Sequence, residues 1–185
     1  MRWASNDRLV HRKVVTVVFC DVVGSTALGE SMDPEALQGL LARYFERMKA
    51  IVEAHGGAVE KFIGDAVMAV FGVPAVHEDD ALRACRAAAE MREAFADIGV
   101  AGRIGVNSGE VVTGTGERLA AGDAVNVAAR VEQLTKTTGD AILLTGWTVE
   151  ALGARSFGLI DRGSHALKGK SAAVRVFGLA PSMTR

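Results

Sequence analysis

The chain has 185 residues, enough for one domain that buries a full core. Its 21 Lys and Arg nearly cancel its 22 Asp and Glu, leaving a formal net charge of -1, so no global field recruits nucleic acid or an anionic membrane surface. The two cysteines, Cys20 and Cys85, lack metal-ligand spacing and read as small core residues of a cytoplasmic protein, and no apolar run approaches the ~20 residues that span a bilayer.

Residues 1–12 are polar and basic, without an apolar signal region, and read as a tail; residues 13–180 read as one domain and 181–185 as a second tail. The first element is Val14 to Cys20, a β-rich apolar run that delivers Asp21 just before the turn Gly24-Ser25-Thr26. Asp33-Pro34-Glu35 then starts a helix that runs to about Ala54, with Leu37, Leu40, Leu41, Tyr44, Phe45, Met48, Ile51 and Val52 at helical spacing. Gly56-Gly57 ends it. Ala58–Ile63 and Ala66–Phe71 flank Gly64-Asp65, a two-residue hairpin signal that puts Asp65 at the tip. The acids of His77-Glu78-Asp79-Asp80 open a second helix that continues to about Ala96, with Ala84, Ala87, Ala88 and Met91 as a slim apolar face.

Further along, Val100–Val106 and Glu110–Thr113 read as a strand pair around Asn107-Ser108-Gly109, followed by a Gly-rich loop to Gly122. Ala124–Thr135 reads as helix, Ala141–Leu144 as strand, Gly146–Leu152 as a short helix and Val174–Leu179 as a final strand. This order predicts an α/β sandwich (α+β) with a ferredoxin-like βαββαβ core: a mixed, mainly antiparallel sheet with helices on one face.

Several familiar patterns fail on spacing. Gly163–Ser171 contains Gly-Lys-Ser, but five residues separate Gly163 from Gly169 where a phosphate-binding loop needs four, and a strand follows. Gly114-Thr115-Gly116 lacks the third glycine of a dinucleotide fingerprint, because Leu119 stands there. His77-Glu78 lacks the second histidine of a zinc-protease helix, since position 81 is Ala.

Two carboxylates remain, Asp21 and Asp65, each at a strand end beside glycine. A lone strand-end Asp is more often a turn cap. If the first strand lies beside the hairpin, however, the two acids meet, and paired oxygen ligands suit Mg²⁺ when substrate phosphates and water complete its shell. Backbone N–H groups of Gly24, Ser25 and Thr26 would stand close by for phosphate oxygens.

In these segments the chain resembles the class III nucleotidyl cyclases, which form cyclic AMP or cyclic GMP from the nucleoside triphosphate. Phe19-Cys20-Asp21-Val22-Val23-Gly24-Ser25-Thr26 resembles their first metal motif, and Glu60-Lys61-Phe62-Ile63-Gly64-Asp65-Ala66-Val67-Met68 the second. Gly122-Asp123-Ala124-Val125-Asn126-Val127-Ala128-Ala129-Arg130 resembles the segment that steadies ribose and reacting phosphate, and Leu167-Lys168-Gly169-Lys170 the late phosphate lysine. The resemblance implies two Mg²⁺ or Mn²⁺ per site on Asp21, Asp65 and the Val22 carbonyl, with Asn126 orienting the ribose, Arg130 opposing charge on the α-phosphate and Lys168 on the phosphates. It also implies a homodimer whose sites are shared between copies, with ATP as substrate and, in a longer protein, further regulatory domains for signal transduction. Lys61 matches the purine-contacting lysine that favours adenine. Its usual partner, an Asp seven residues before Asn126, is replaced by Leu119, which accepts no hydrogen bond. Two readings follow: an adenylate cyclase, and a weak or inactive cyclase-fold module that dimerises and binds nucleotide without turnover.

Overall fold

The computed structural model describes residues 11–113, 122–155 and 158–181. Its first strand, β1 (His11–Val22), lies inside the sheet, which accounts for its unalternating apolar sequence. Val18, Cys20 and Val22 join one hydrophobic cluster while Val15, Val17 and Phe19 join another on the opposite face. The hairpin strands β2 (Ala58–Ile63) and β3 (Ala66–Phe71) follow as expected, with all six residues of β3 buried against β1.

Between β1 and the hairpin run two helices. The first, α1 (Ser25–Ser31), buries no side chain fully, sets only Leu28 half-buried against the core and has no side-chain cap, so it left no periodic signal in the sequence. The second, α2 (Pro34–Ala54), starts where Asp33 Oδ2 accepts from the N–H groups of Glu35 (3.1 Å) and Ala36 (3.4 Å). It buries Leu40, Tyr44, Met48, Ile51 and Val52 on the β1–β3 sheet beside α3 (Asp80–Ile98), whose Ala84, Ala87 and Ala88 permit close approach.

The strand pair expected around Asn107 is instead one long strand, β4 (Gly102–Thr113), paired with β1 from His11↔Thr113 to Val22↔Gly102. Buried partners override the turn preference of its polar residues. Ser108 Oγ shares a hydrogen bond with Thr16 Oγ1 at 2.8 Å, while Asn107 donates to the Ala124 carbonyl at 3.0 Å and accepts from Thr145 Oγ1 at 2.8 Å.

The strand order β2-β3-β1-β4 is the antiparallel ferredoxin-like core predicted from the sequence. Beyond it, β5 (Ile142–Thr145) pairs parallel to β4, and β7 (Val174–Leu179) pairs antiparallel to both β5 and an edge strand, β6 (Leu159–His165). The seven-stranded sheet is therefore mixed and mainly antiparallel. Its helical layering differs in one respect from the expectation of a single helical face. α2, α3 and Leu152 of α5 (Gly146–Leu152) cover one face, whereas α4 (Asp123–Thr138) packs on the other through Ala124, Val125, Ala128, Val127 and Val131.

The alternation of β4 explains this placement. Ile104 and Val106 face α2 and α3, while Gly105 between them faces α4. A Cβ on Gly105 would stand 2.4 Å from both the Ala128 carbonyl oxygen and the Glu132 nitrogen, so α4 crosses β4 where only glycine fits. Gly105→Ala is expected to destabilise the fold by about 1–3 kcal/mol in denaturant unfolding, because backbone atoms must move. Gly39→Ala, in open space on α2, is the control and should match or exceed the parent. Equal stability of Gly105→Ala and the parent would contradict this packing.

Candidate active site

Antiparallel pairing brings the two sequence-selected carboxylates together. Asp21 is the penultimate residue of β1, and Asp65 sits in the two-residue turn that leads into β3, whose Val67 pairs with Cys20. Gly64 supplies that turn's positive φ of 61°. The Asp65 carboxyl group stands near enough to perturb that of Asp21, and Asp65 Oδ2 is buried with no donor. Burial, then the hydrogen bond and charge of Asp65, push Asp21 up to about 6 despite the Val22 N–H on its Oδ1 at 2.9 Å.

Such a pair is short of positive charge. Among the described residues no three His, Cys, Asp or Glu side chains form a cage, so two carboxylates and the adjoining backbone are the candidate oxygen donors here. That donor set fits Mg²⁺ or Mn²⁺ completed by phosphate oxygens and water, as the orphaned Asp65 oxygen also suggests. Val22 closes β1 opposite Gly102, and Gly24, with φ 69°, turns the chain so that Ser25 and Thr26 open α1 beside the acids.

Two further residues of this region were not singled out from sequence. Arg103 is the register partner of Asp21 on β4 and places a cation at the same sheet end. Glu132, on α4 over Gly105, is fully buried, and its Oε1 has no donor. Burial first, and then the charge of Asp21, push it up to about 7, against the opposing pull of Gln133, Lys136 and Arg103. The signal was available: Glu132 continues the buried spacing of Ala124, Ala128 and Val131, and a carboxylate on a buried stripe asks for a reason.

The other predicted residues lie elsewhere. Asn126 is exposed and Arg130 half-buried, one turn apart on α4, and Arg130 Nη1 donates to the carbonyl of Lys168 in the β6–β7 loop. Lys61 is exposed on edge strand β2, next to an irregularity in its pairing with β3. Leu119 lies outside the described residues. Because β7 runs parallel to β1, the loop before it sits at the β1 start, whereas Asp21 is at the β1 end. Val176 stands level with Val17, so Val174, where this loop joins β7, is on the order of 20 Å along the strands from the level of Asp21. Among the described residues, Arg130 bonds to the Lys168 carbonyl and neither it nor Lys168 pairs with Asp21 or Asp65.

The pattern of the adenylate and guanylate cyclase catalytic domain matches residues 10–180. The chain belongs to this class III cyclase family. Adenylate cyclase 1 of Rhizobium meliloti is 35% identical over 158 residues, covering 77% of this chain and 24% of that protein. The Anabaena cylindrica adenylate cyclase is 35% identical over 183 residues, covering 88% of this chain and 36% of that protein. The chain therefore spans about a quarter to a third of the length of these curated relatives. Among solved structures, the adenylyl cyclase CyaB from P. aeruginosa superposes with a TM-score of 0.84 at 30% identity, covering 95% of this chain and 97% of that one. The guanylyl cyclase Cya2 gives 0.79 at 28% identity, covering 94% and 96%. Among the described residues no helix is long and apolar enough to cross a membrane.

If the carboxylate pair of this cyclase domain holds a divalent metal, that binding depends on pH with a definite sign. Divalent metal requires both acids ionised, so the rise in melting temperature given by Mn²⁺ should grow from pH 5 to pH 7.5, through the raised value of Asp21. In Asp65→Asn the Mn²⁺ shift should vanish while the metal-free protein melts higher above pH 6, since like-charge repulsion is gone. An unchanged Mn²⁺ shift in Asp65→Asn would remove that residue from the site.

Proposed function

We propose that this chain is an adenylate cyclase domain that converts ATP to 3′,5′-cyclic AMP and pyrophosphate at sites shared by two copies. The observation that supports sharing is the separation of the two half-sites: Asp21 and Asp65 end one side of the sheet, while Arg130 is bonded to the Lys168 loop toward the other. A second copy placed against the first gives each acidic pair a cationic partner. Residues 13–180 make up the catalytic unit in this reading, and the greater length of its relatives fits a module that takes regulatory input from other domains.

In the reaction, the ribose 3′-oxygen forms a bond to the α-phosphorus as the α–β phosphoanhydride bond breaks. The 3′-hydroxyl proton passes to water and pyrophosphate leaves. Asp21, Asp65 and the Val22 carbonyl would hold Mg²⁺ or Mn²⁺, two per site, and the bound metal would supply acidification of the 3′-hydroxyl and charge neutralisation of the triphosphate. Gly24, Ser25 and Thr26 offer backbone N–H groups to phosphate oxygens from beside the acids. From the other copy, Arg130 opposes charge developing on the α-phosphate with a guanidinium that never loses its proton. Asn126, one turn earlier, orients the ribose, and Lys168 holds the phosphates.

Adenine is favoured by Lys61, which donates to the ring edge, and by the adenylate cyclase names of the relatives above. Leu119 removes one directional contact, typically worth about 0.5–1.5 kcal/mol, so discrimination against GTP should be modest. Purified chain with Mn²⁺ or Mg²⁺ should yield cyclic AMP from ATP and less cyclic GMP from GTP. Arg130→Ala should lower kcat by roughly 10²–10³-fold with metal–triphosphate binding largely intact. A folded dimer that forms no cyclic product with either base would overturn the enzyme reading and leave a nucleotide-binding dimerisation module.

A further inference from the structure

The β6–β7 loop is tied to α4 at two points. Arg130 Nη1 donates to the Lys168 carbonyl, and two residues later Lys170 Nζ donates to Asp123 Oδ2 in the first turn of the same helix. Lys170 Nζ also stands 5.3 Å from the centroid of the Trp147 ring on α5, in a cation–π contact. Beneath, Leu167 packs with Val127, Val131 and Val174, and the Lys170 N–H closes the turn onto the Leu167 carbonyl at 3.0 Å. Gly169 between them has φ 82°, and a Cβ there would stand 3.0 Å from Arg130 Nη1.

Three cations, Arg130, Lys168 and Lys170, therefore crowd one short loop and one helix face. Left alone, they would push the loop away from α4. Asp123 and the electron-rich face of Trp147 take up the charge of Lys170, while among the described residues the Lys168 ammonium is in no ion pair. Lys170 thereby holds the loop in place without drawing on the two cations assigned to the triphosphate. Its side chain is 25% exposed and that of Asp123 60%, so water screens the ion pair from the Asp123 side while the Lys170 stem is packed.

We propose that Lys170 is a positioning residue: seated between Asp123 and Trp147, it fixes the β6–β7 loop on α4 so that Lys168 and Arg130 present one preset pair of cations. The identity of the ligand, a nucleoside triphosphate, rests on the cyclase reading above; the clasp rests on the geometry alone.

Two measurements on the full chain test it. Amide hydrogen exchange across residues 166–172 should quicken about tenfold in Lys170→Met and in Asp123→Asn, and return to within about threefold of the parent in Lys170→Arg, which keeps both the ion pair and the ring contact. In cyclisation of ATP, Lys170→Met should raise KM about tenfold and change kcat by less than about threefold, with Lys170→Arg restoring KM. A general loss of stability would not give that split or that rescue. Unchanged exchange in Lys170→Met, a Lys170→Arg chain as loose as Lys170→Met, or an unchanged KM in an active enzyme would each overturn the proposal. If the parent forms no cyclic nucleotide and the exchange pattern still holds, the clasp stands and the cyclase reading falls.

Discussion

Two carboxylates held against each other with no donor between them are the constraint on which the rest of this molecule turns. Asp21 and Asp65 come together because β1 is central and pairs antiparallel with β3, leaving the strand end and hairpin turn side by side. Burial raises the cost of charge there, and a third acid, Glu132, adds to it from α4. An ordinary core would not accumulate negative potential in this way. The fold tolerates it because β1 is buried on both faces and locked by long ladders, so the acids cannot move apart.

The second constraint is direction. Antiparallel and parallel pairings together send β7 the same way as β1, which places the Lys168 loop at the sheet end that Asp21 leaves behind. α4 bridges the two regions, carrying Glu132 near the acids, Arg130 on its other side toward the Lys168 loop, and Asn126 and the Asp123 end of the loop clasp in its earlier turns. On the proposed reading, a reaction that needs a metal carboxylate pair and a phosphate-directed arginine at one nucleotide calls for two copies. Sheet topology, rather than any single side chain, makes the division.

Much of this was legible in the sequence, and the exceptions have physical causes. β1, the hairpin and the Ala-rich α3 showed because their burial is written in apolar runs and turn signals. Asp21 and Asp65 stood out as charges at the ends of such runs. α1 left little trace because only Leu28 packs, half-buried, against the core, and β4 looked broken because Asn107 and Ser108 carry turn preferences that only Thr16, Thr145 and α4 could offset. The position of α4 on the opposite face hinges on Gly105, whose meaning appears only when a helix backbone lies 2.4 Å from where its Cβ would be. Arg103 was hidden for a different reason: its relation to Asp21 is a cross-strand register, which no local pattern encodes.

The central claim is that acidic and cationic half-sites from two copies make one working site. Mixing an Asp21→Ala chain with an Arg130→Ala chain tests it most directly. Each alone should be nearly inactive, while the mixture should regain cyclase activity, because the mixed dimer keeps one intact pairing of Asp21 with Arg130. Full inactivity of a mixture in which mixed dimers are shown to form would contradict the account.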